Sequence, residues 1–308
     1  SGTLCAMKYL DLPNAPVESA DVLILPVPYE RTVTYQGGTS QGPAAILDAS
    51  TQLEFYEEEM GWCPSRHLKS AVLPSFALEP ATEAEFHQQL FQTVEELPRE
   101  NLFIALGGEH SITPEMVYAR MPEGGTIVQI DAHADLRPSY QGSVYNHACP
   151  MYRLWQKGYS LLQIGIRSLH EREAELIKQE SRITTYFDRP LLQPEIWNEL
   201  LERLASLQGP VWLTIDLDGF DPGLISGVGT PQPGGLTWHQ GVTILQILLG
   251  NRAVELAGMD MVELVPEANR VSDMLAAKLL QKSISFWGMA RGFNQHPETG
   301  SQIGVVDE

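Results

Sequence analysis

Short apolar runs rich in β-branched residues recur along the chain, bounded by turn residues, at 21–27, 102–106, 126–130, 161–166, 211–215 and 254–262. Runs of that length and composition read as strands. Between them lie amphipathic stretches of helical length at 83–97, 195–207, 237–249 and 272–289. Phe86, Leu90, Val94 and Leu97 fall at helical spacing in the first, and Leu200, Leu201, Leu204 and Leu207 in the second. Strands alternating with helices predict an α/β fold, a parallel sheet covered on both faces. No internal repeat, low-complexity tract or long linker interrupts the pattern, so residues 1–308 read as a single domain. Ligands of such sheets collect at the carboxyl ends of the strands. Chemistry is therefore to be sought just past each run.

Three runs are followed by acidic and imidazole groups. After 102–106 comes Gly107-Gly108-Glu109-His110-Ser111; after 126–130, Asp131-Ala132-His133-Ala134-Asp135; after 211–215, Asp216-Leu217-Asp218-Gly219-Phe220-Asp221-Pro222. Side chains two apart in an extended segment point the same way. Asp131, His133 and Asp135 can converge, as can Asp216 and Asp218, and His110 joins them. Four carboxylates crowded in one buried place repel each other and resist desolvation. A pair of divalent cations neutralises them, and oxygen-rich ligation with some imidazole and no thiolate suits Mn2+. Two such ions sharing a water lower its pKa toward neutrality, which is hydrolytic machinery. One D-x-H-x-D segment alone leaves a loop of solvated charges open as the lesser reading. Three clusters at three strand ends do not.

Composition narrows the field. The chain of 308 residues is 43% hydrophobic, enough for a large core. No run reaches the ~18 apolar residues of a membrane span, and the start shows no signal-peptide pattern, so a cytoplasmic protein is expected. The net charge of −19 argues against nucleic acid as a partner and mildly favours a cationic substrate. Three widely spaced cysteines, Cys5, Cys63 and Cys149, make neither a disulfide framework nor a thiolate site. Cys149 reads as a small buried residue, not a nucleophile.

The motifs G-G-E-H-S, D-A-H-A-D and T-I-D-L-D-G-F-D-P resemble the metal-binding signatures of the ureohydrolases, the arginases and agmatinases. The resemblance extends to Gly37-Gly38-Thr39 with Gly42-Pro43, and to Met261-Val262-Glu263-Leu264-Val265-Pro266. It implies a three-layer α/β/α sandwich with a mainly parallel, eight-stranded sheet, assembled as homotrimers or homohexamers. It further implies two Mn2+ per subunit. His110, Asp131, Asp135 and Asp216 would hold one; Asp131, His133, Asp216 and Asp218 the other, with Asp131 and Asp216 bridging. Asp135 would also carry a proton from the attacking hydroxide to the leaving amine. His147, in Tyr145-Asn146-His147-Ala148-Cys149, matches a proton-shuttling loop histidine, and Glu263 a guanidinium-binding carboxylate. Glu109 departs from the aspartate common at its position, with a change expected only behind the ligands.

Substrate choice is less constrained. The D-L-R…Y-x-G…Y-x-H-A-C arrangement resembles one branch of agmatinases, some of which act on aminopropyl-agmatine. Agmatine, cleaved to putrescine and urea, is the first expectation. Arg137 could bind a guanidino acid, but a salt bridge away from substrate is the preferred reading. The loop Ser226-Gly227-Val228-Gly229-Thr230-Pro231 resembles the family's substrate-facing segment. Alternatives are aminopropyl-agmatine, arginine, guanidinobutyrate, guanidine or formiminoglutamate as substrate. Outside the class stand a single-zinc deacetylase-like amidohydrolase and a non-catalytic binding protein. Asp221 before Pro222 reads as a turn residue, and Asp260 as structural. His67, His87, His170, His239 and His296 read as non-catalytic.

Overall fold

The computed structural model describes residues 7–76 and 82–299. Among them, eight strands form one sheet: β1 (Val22–Val27), β2 (Ser70–Val72), β3 (Leu102–Gly107), β4 (Thr126–Ile130), β5 (Ser160–Ile166), β6 (Ile183–Phe187), β7 (Gly209–Asp216) and β8 (Val254–Val262). Their order is β2-β1-β3-β8-β7-β4-β5-β6, and every pairing is parallel. The six runs legible in the sequence are β1, β3, β4, β5, β7 and β8. The two further strands, β2 and β6, are the sheet's edges.

Helices supply the outer layers: α1 (Gly42–Ser50), α2 (Pro64–His67), α3 (Glu83–Glu95), α4 (Thr113–Arg120), α5 (Pro150–Gln156), α6 (Glu171–Gln179), α7 (Pro194–Ser206), α8 (Trp238–Gly250) and α9 (Val271–Ala290). The four amphipathic stretches of the sequence are α3, α7, α8 and α9. Strand side chains alternate between two cores. Val22, Ile24, Leu102, Ile104, Leu213 and Ile215 pack with α1, α7, α8 and α9. Leu23, Leu25, Phe103, Ala105 and Trp212 pack with α3, α4 and α5. Both faces are thus sealed, and each central strand is apolar along most of its length. None of the described helices is long and apolar enough to cross a membrane.

The strand order positions the site. β3 and β4 are consecutive in sequence but stand apart in space, because β8 and β7 lie between them. The loops that leave β3, β8, β7 and β4 therefore open side by side at the middle of the carboxyl edge, where an open α/β sheet offers its crevice.

Candidate metal centre

Each central strand delivers its polar residues through a tight turn. Past β3, Gly108 runs so close beneath Tyr29 that a Cβ would collide with the Tyr29 carbonyl oxygen, so only glycine fits. His110 follows at once in a 3-10 turn. At the end of β4, Asp131 Oδ1 accepts the His133 backbone N–H at 2.6 Å; at the end of β7, Asp216 Oδ1 accepts the Asp218 N–H at 2.9 Å. The same turn is built twice. The two-residue spacing converges because each aspartate folds the chain back on itself, not because the pleat of the strand continues. Asp218 Oδ1 in turn accepts from the Ala132 N–H at 3.0 Å, tying the two turns together. Asp135 and Glu263 hold φ of 53° and 70°, a left-handed conformation unusual for residues with a Cβ. Such strain persists where the surroundings impose it, commonly at functional sites.

The six residues expected to bind metal do meet. His110 Nδ1 lies 3.1 Å from Asp131 Oδ2, 3.0 Å from Asp135 Oδ2 and 3.4 Å from Asp216 Oδ2. His133 Nδ1 lies 2.9 Å from Asp218 Oδ2 and 3.6 Å from Asp131 Oδ1. Two groups of donors, His110–Asp131–Asp135 and Asp131–His133–Asp218, share Asp131, which turns one oxygen to each imidazole. Donors on one octahedral ion at about 2.1 Å stand about 3 Å apart, which is the spacing here.

The chemistry of His110 tests whether a cation belongs there. Its Nε2 sits 2.8 Å from Thr214 Oγ1, and that hydroxyl donates its single hydrogen to Asp260 Oδ1 at 2.6 Å. Thr214 can only accept from the ring, so Nε2 carries a hydrogen and the neutral ring presents Nδ1 as a lone pair. That nitrogen is buried without a hydrogen-bond donor and faces three carboxylate oxygens. Acceptors facing acceptors in a dry pocket need positive charge between them. The donor set fits divalent cations.

Without a cation, protons meet the same need. Burial and then Asp131 push the Asp135 carboxyl up to about 7. Burial, Asp218 and Asp131 hold Asp216 well above the usual carboxylate range. Burial opposes charge on His133, yet Asp218 and Asp131 outweigh it and push the ring up to about 12. Burial likewise opposes charge on His110, and its three carboxylate neighbours overcome it. Asp131 goes the other way: burial would raise it, but His110 and His133 hold it low. Acids held protonated and imidazoles held charged are the two ways a crowd of carboxylates gathers positive charge from protons.

Beside this cluster a narrow cleft is lined by Val33, Thr34, Tyr35, Gln36, Glu109, His147, Gly229, Thr230 and Glu263. Glu263 Oε1 accepts the His110 N–H at 2.6 Å, and burial followed by the charge of Glu109 pushes its carboxyl up to about 8. His147 stands across the cleft with its Nδ1 3.0 Å from Thr32 Oγ1. Burial, then the neighbouring His133, push its ring down to about 4, so it is neutral at pH 7. The expected catalytic residues thus stand together with the metal candidates.

Other polar residues singled out in the sequence lie outside this constellation. Arg137 makes no ion pair among the described residues; it lies over the Tyr140 ring, 4.5 Å from its centroid, in place of the expected salt bridge. Cys149 is buried, and burial followed by Asp135 pushes its thiol up to about 12, so it is no nucleophile. Asp221 accepts the Gly223 N–H at 2.7 Å, the turn its sequence implied. His67, His87, His170 and His239 bond elsewhere or lie on helix surfaces, and His296 offers its carbonyl to His67. Asp260 is structural, accepting from Trp212 Nε1 at 2.7 Å, but it also reaches His110 through Thr214. Sequence pattern does not single out Thr214 or Thr32. Thr214 carries a usable signal all the same: it precedes Asp216 by two in β7 and therefore shares its face. Thr32 carries none.

Comparison with known proteins agrees with this geometry. Residues 20–285 match the arginase family as a whole. The chain is 39% identical to the N(1)-aminopropylagmatine ureohydrolase of Synechocystis sp., over 87% of this chain and 90% of that protein. It is 34% identical to the agmatinase of Pyrococcus horikoshii, over 88% and 93% respectively. The crystal structure of the agmatine ureohydrolase of Thermoplasma volcanium superposes with a TM-score of 0.80 at 29% identity, covering 92% of this chain and 95% of that one.

Proposed function

The chain belongs to the arginase family, hydrolases of C–N bonds in linear amidines, and from that premise we propose that it cleaves urea from an agmatine-type guanidino amine. N1-aminopropylagmatine is placed ahead of agmatine, the relatives of higher identity carrying that name. The observation that carries the substrate class is the cleft lining. Glu263 faces it, the buried Glu109 lies behind, and among its lining residues there is no lysine or arginine. A guanidino acid such as arginine would bring a carboxylate into an acidic cleft with no cation to meet it. An agmatine-type amine brings only cations. Tyr35, 79% exposed at the rim, offers a ring face to the distal ammonium.

The chemistry divides among the residues of the site. Glu263 gives up its proton to solvent as the cation docks and receives the planar guanidinium in paired, charge-assisted hydrogen bonds. His110, Asp131, Asp135 and Asp216 would hold one divalent cation, and Asp131, His133, Asp216 and Asp218 a second, with Mn2+ suited to the donors. The cations supply Lewis acidity and acidify water to near-neutral pKa. Asp135 takes a proton as attack begins and returns it toward the leaving nitrogen. His147, neutral at rest, takes a proton from solvent at its free ring nitrogen and passes it on to the departing amine. Assembly as homotrimers or homohexamers is part of the same reading, and light scattering tests it.

The experiment is urea release from manganese-loaded protein with N1-aminopropylagmatine, agmatine, arginine, guanidinobutyrate and guanidine. The two amines should lead, the aminopropyl compound first. Arginine turning over as fast as agmatine would overturn the substrate assignment, and no urea from any of them the activity itself.

A further inference from the structure

Thr32 and His147 lie 115 residues apart in the chain and touch twice. Thr32 Oγ1 accepts the His147 backbone N–H at 3.0 Å and stands 3.0 Å from ring Nδ1. The same hydroxyl lies 2.9 Å from Glu109 Oε1. Glu109 is 1% exposed and takes three more donors: the Arg31 N–H at 2.6 Å, the Thr32 N–H at 2.7 Å and the Ser111 hydroxyl at 2.6 Å. With four donors on two oxygens, this carboxylate serves as an acceptor only.

A threonine hydroxyl owns one hydrogen. Here it goes to Glu109, because the carboxylate cannot supply one. What remains toward His147 is a lone pair, so ring Nδ1 must bring the hydrogen to that contact. Nε2 is then left as the free acceptor. The segment around the histidine is held independently. Tyr145, two residues earlier, stacks on His87 with centroids 4.5 Å apart and an interplanar angle of 19°. The Arg153 guanidinium lies 4.7 Å from the same ring centroid. Tyr145 anchors the segment, and Thr32 governs the ring.

We propose that Thr32 is a positioning residue that selects the Nδ1–H tautomer of His147, with Glu109 fixing the direction of its hydroxyl. This inference rests on the reading of His147 as the proton carrier. It also explains what the longer side chain of Glu109 does: it reaches the 31–32 segment and locks the hydroxyl that orients the histidine.

The test uses the metal-loaded full chain, with N1-aminopropylagmatine and agmatine as substrates. Thr32→Val keeps the shape and removes the hydroxyl; Thr32→Ser restores it; Thr32→Ala serves as a second deletion should the valine variant fail to fold. Thr32→Val should lower kcat about 10- to 100-fold, the usual effect of removing a partner that fixes a working histidine, with KM nearly unchanged. Thr32→Ser should recover most of that loss, and metal content should stay at the native value. In a double-mutant cycle, adding Thr32→Val to His147→Gln should cost nothing more, since the ring it orients is gone. If His147→Gln is slow but Thr32→Val and Thr32→Ala turn over like the native protein, the positioning role is wrong and the proton-carrier reading stands. The role is also wrong if the two losses multiply. If His147→Gln itself is as fast as the native protein, both readings fall together.

Discussion

Thr214 stands between His110 and Asp260, its hydroxyl 2.8 Å from the imidazole Nε2 and 2.6 Å from the buried carboxylate. One hydrogen bond fixes the direction of the next, and the relay ends in a lone pair on His110 aimed at three aspartates. Partners of this kind set the tautomer and basicity of a ligand histidine.

Removing that link should therefore weaken metal binding before it disturbs the fold. Thr214→Val is expected to lower manganese affinity about 10- to 100-fold, read by equilibrium dialysis on folded protein. Asp260→Asn should also cost about 1–3 kcal/mol of stability, because Trp212 and Thr214 both donate to Asp260 and one then meets an amide hydrogen. Native affinity in Thr214→Val would show that the relay has no bearing on the metal.

Metal loading should depend on pH with a definite sign. Burial and Asp131 push Asp135 up to about 7, and Asp216, His110 and His133 are raised too. These groups bind protons more firmly than usual, and a metal must displace them. Lowering pH through 7 therefore weakens loading, and raising it strengthens loading. Calorimetry in two buffers of different ionisation enthalpy should show net proton release. Manganese affinity independent of pH between about 6 and 8 would contradict the coupling.

Glu263→Gln keeps the size of the side chain and removes its charge. Hydrogen bonds to a charged group contribute about 1.5–3 kcal/mol, so kcat/KM for the guanidino amine should fall about 10- to 150-fold. Circular dichroism and metal content should match the native protein. A loss smaller than about threefold would remove Glu263 from the binding site.

Tyr35→Ala tests where the substrate tail lies. A cation over an exposed ring gains about 0.5–1 kcal/mol, so KM for N1-aminopropylagmatine should rise about two- to fivefold. Agmatine, which is shorter, should respond less. Equal effects on both amines, or none, would place the tail elsewhere.

Much of the centre is legible in the sequence because its residues follow strands that are apolar almost throughout. Such strands announce themselves, and β3, β4 and β7 each hand over to an acidic or imidazole group. The edges are not legible. β2 has three residues, and β6 reads Ile-Thr-Thr-Tyr-Phe, with polar positions because only part of it is covered. Helix α1, from Gly42 to Ser50, is built on small residues with little periodic contrast, so its spacing carries no signal. The two threonines behind the histidines are neutral and ordinary in composition. Their role depends on hydrogen bonds across 104 and 115 positions of chain, which local pattern does not encode.

The central placement of β8 makes it the keystone of the sheet. Its neighbours are β3 and β7, and until it enters the sheet no strand bridges the leading three strands to the block formed by β4 through β7. Without it the other strands fall into two half-sheets, with His110 past β3 on one and Asp131, Asp135, Asp216 and Asp218 on the other. The strand that joins the halves also brings Glu263, so candidate ligands and cleft share one frame only in the complete sheet.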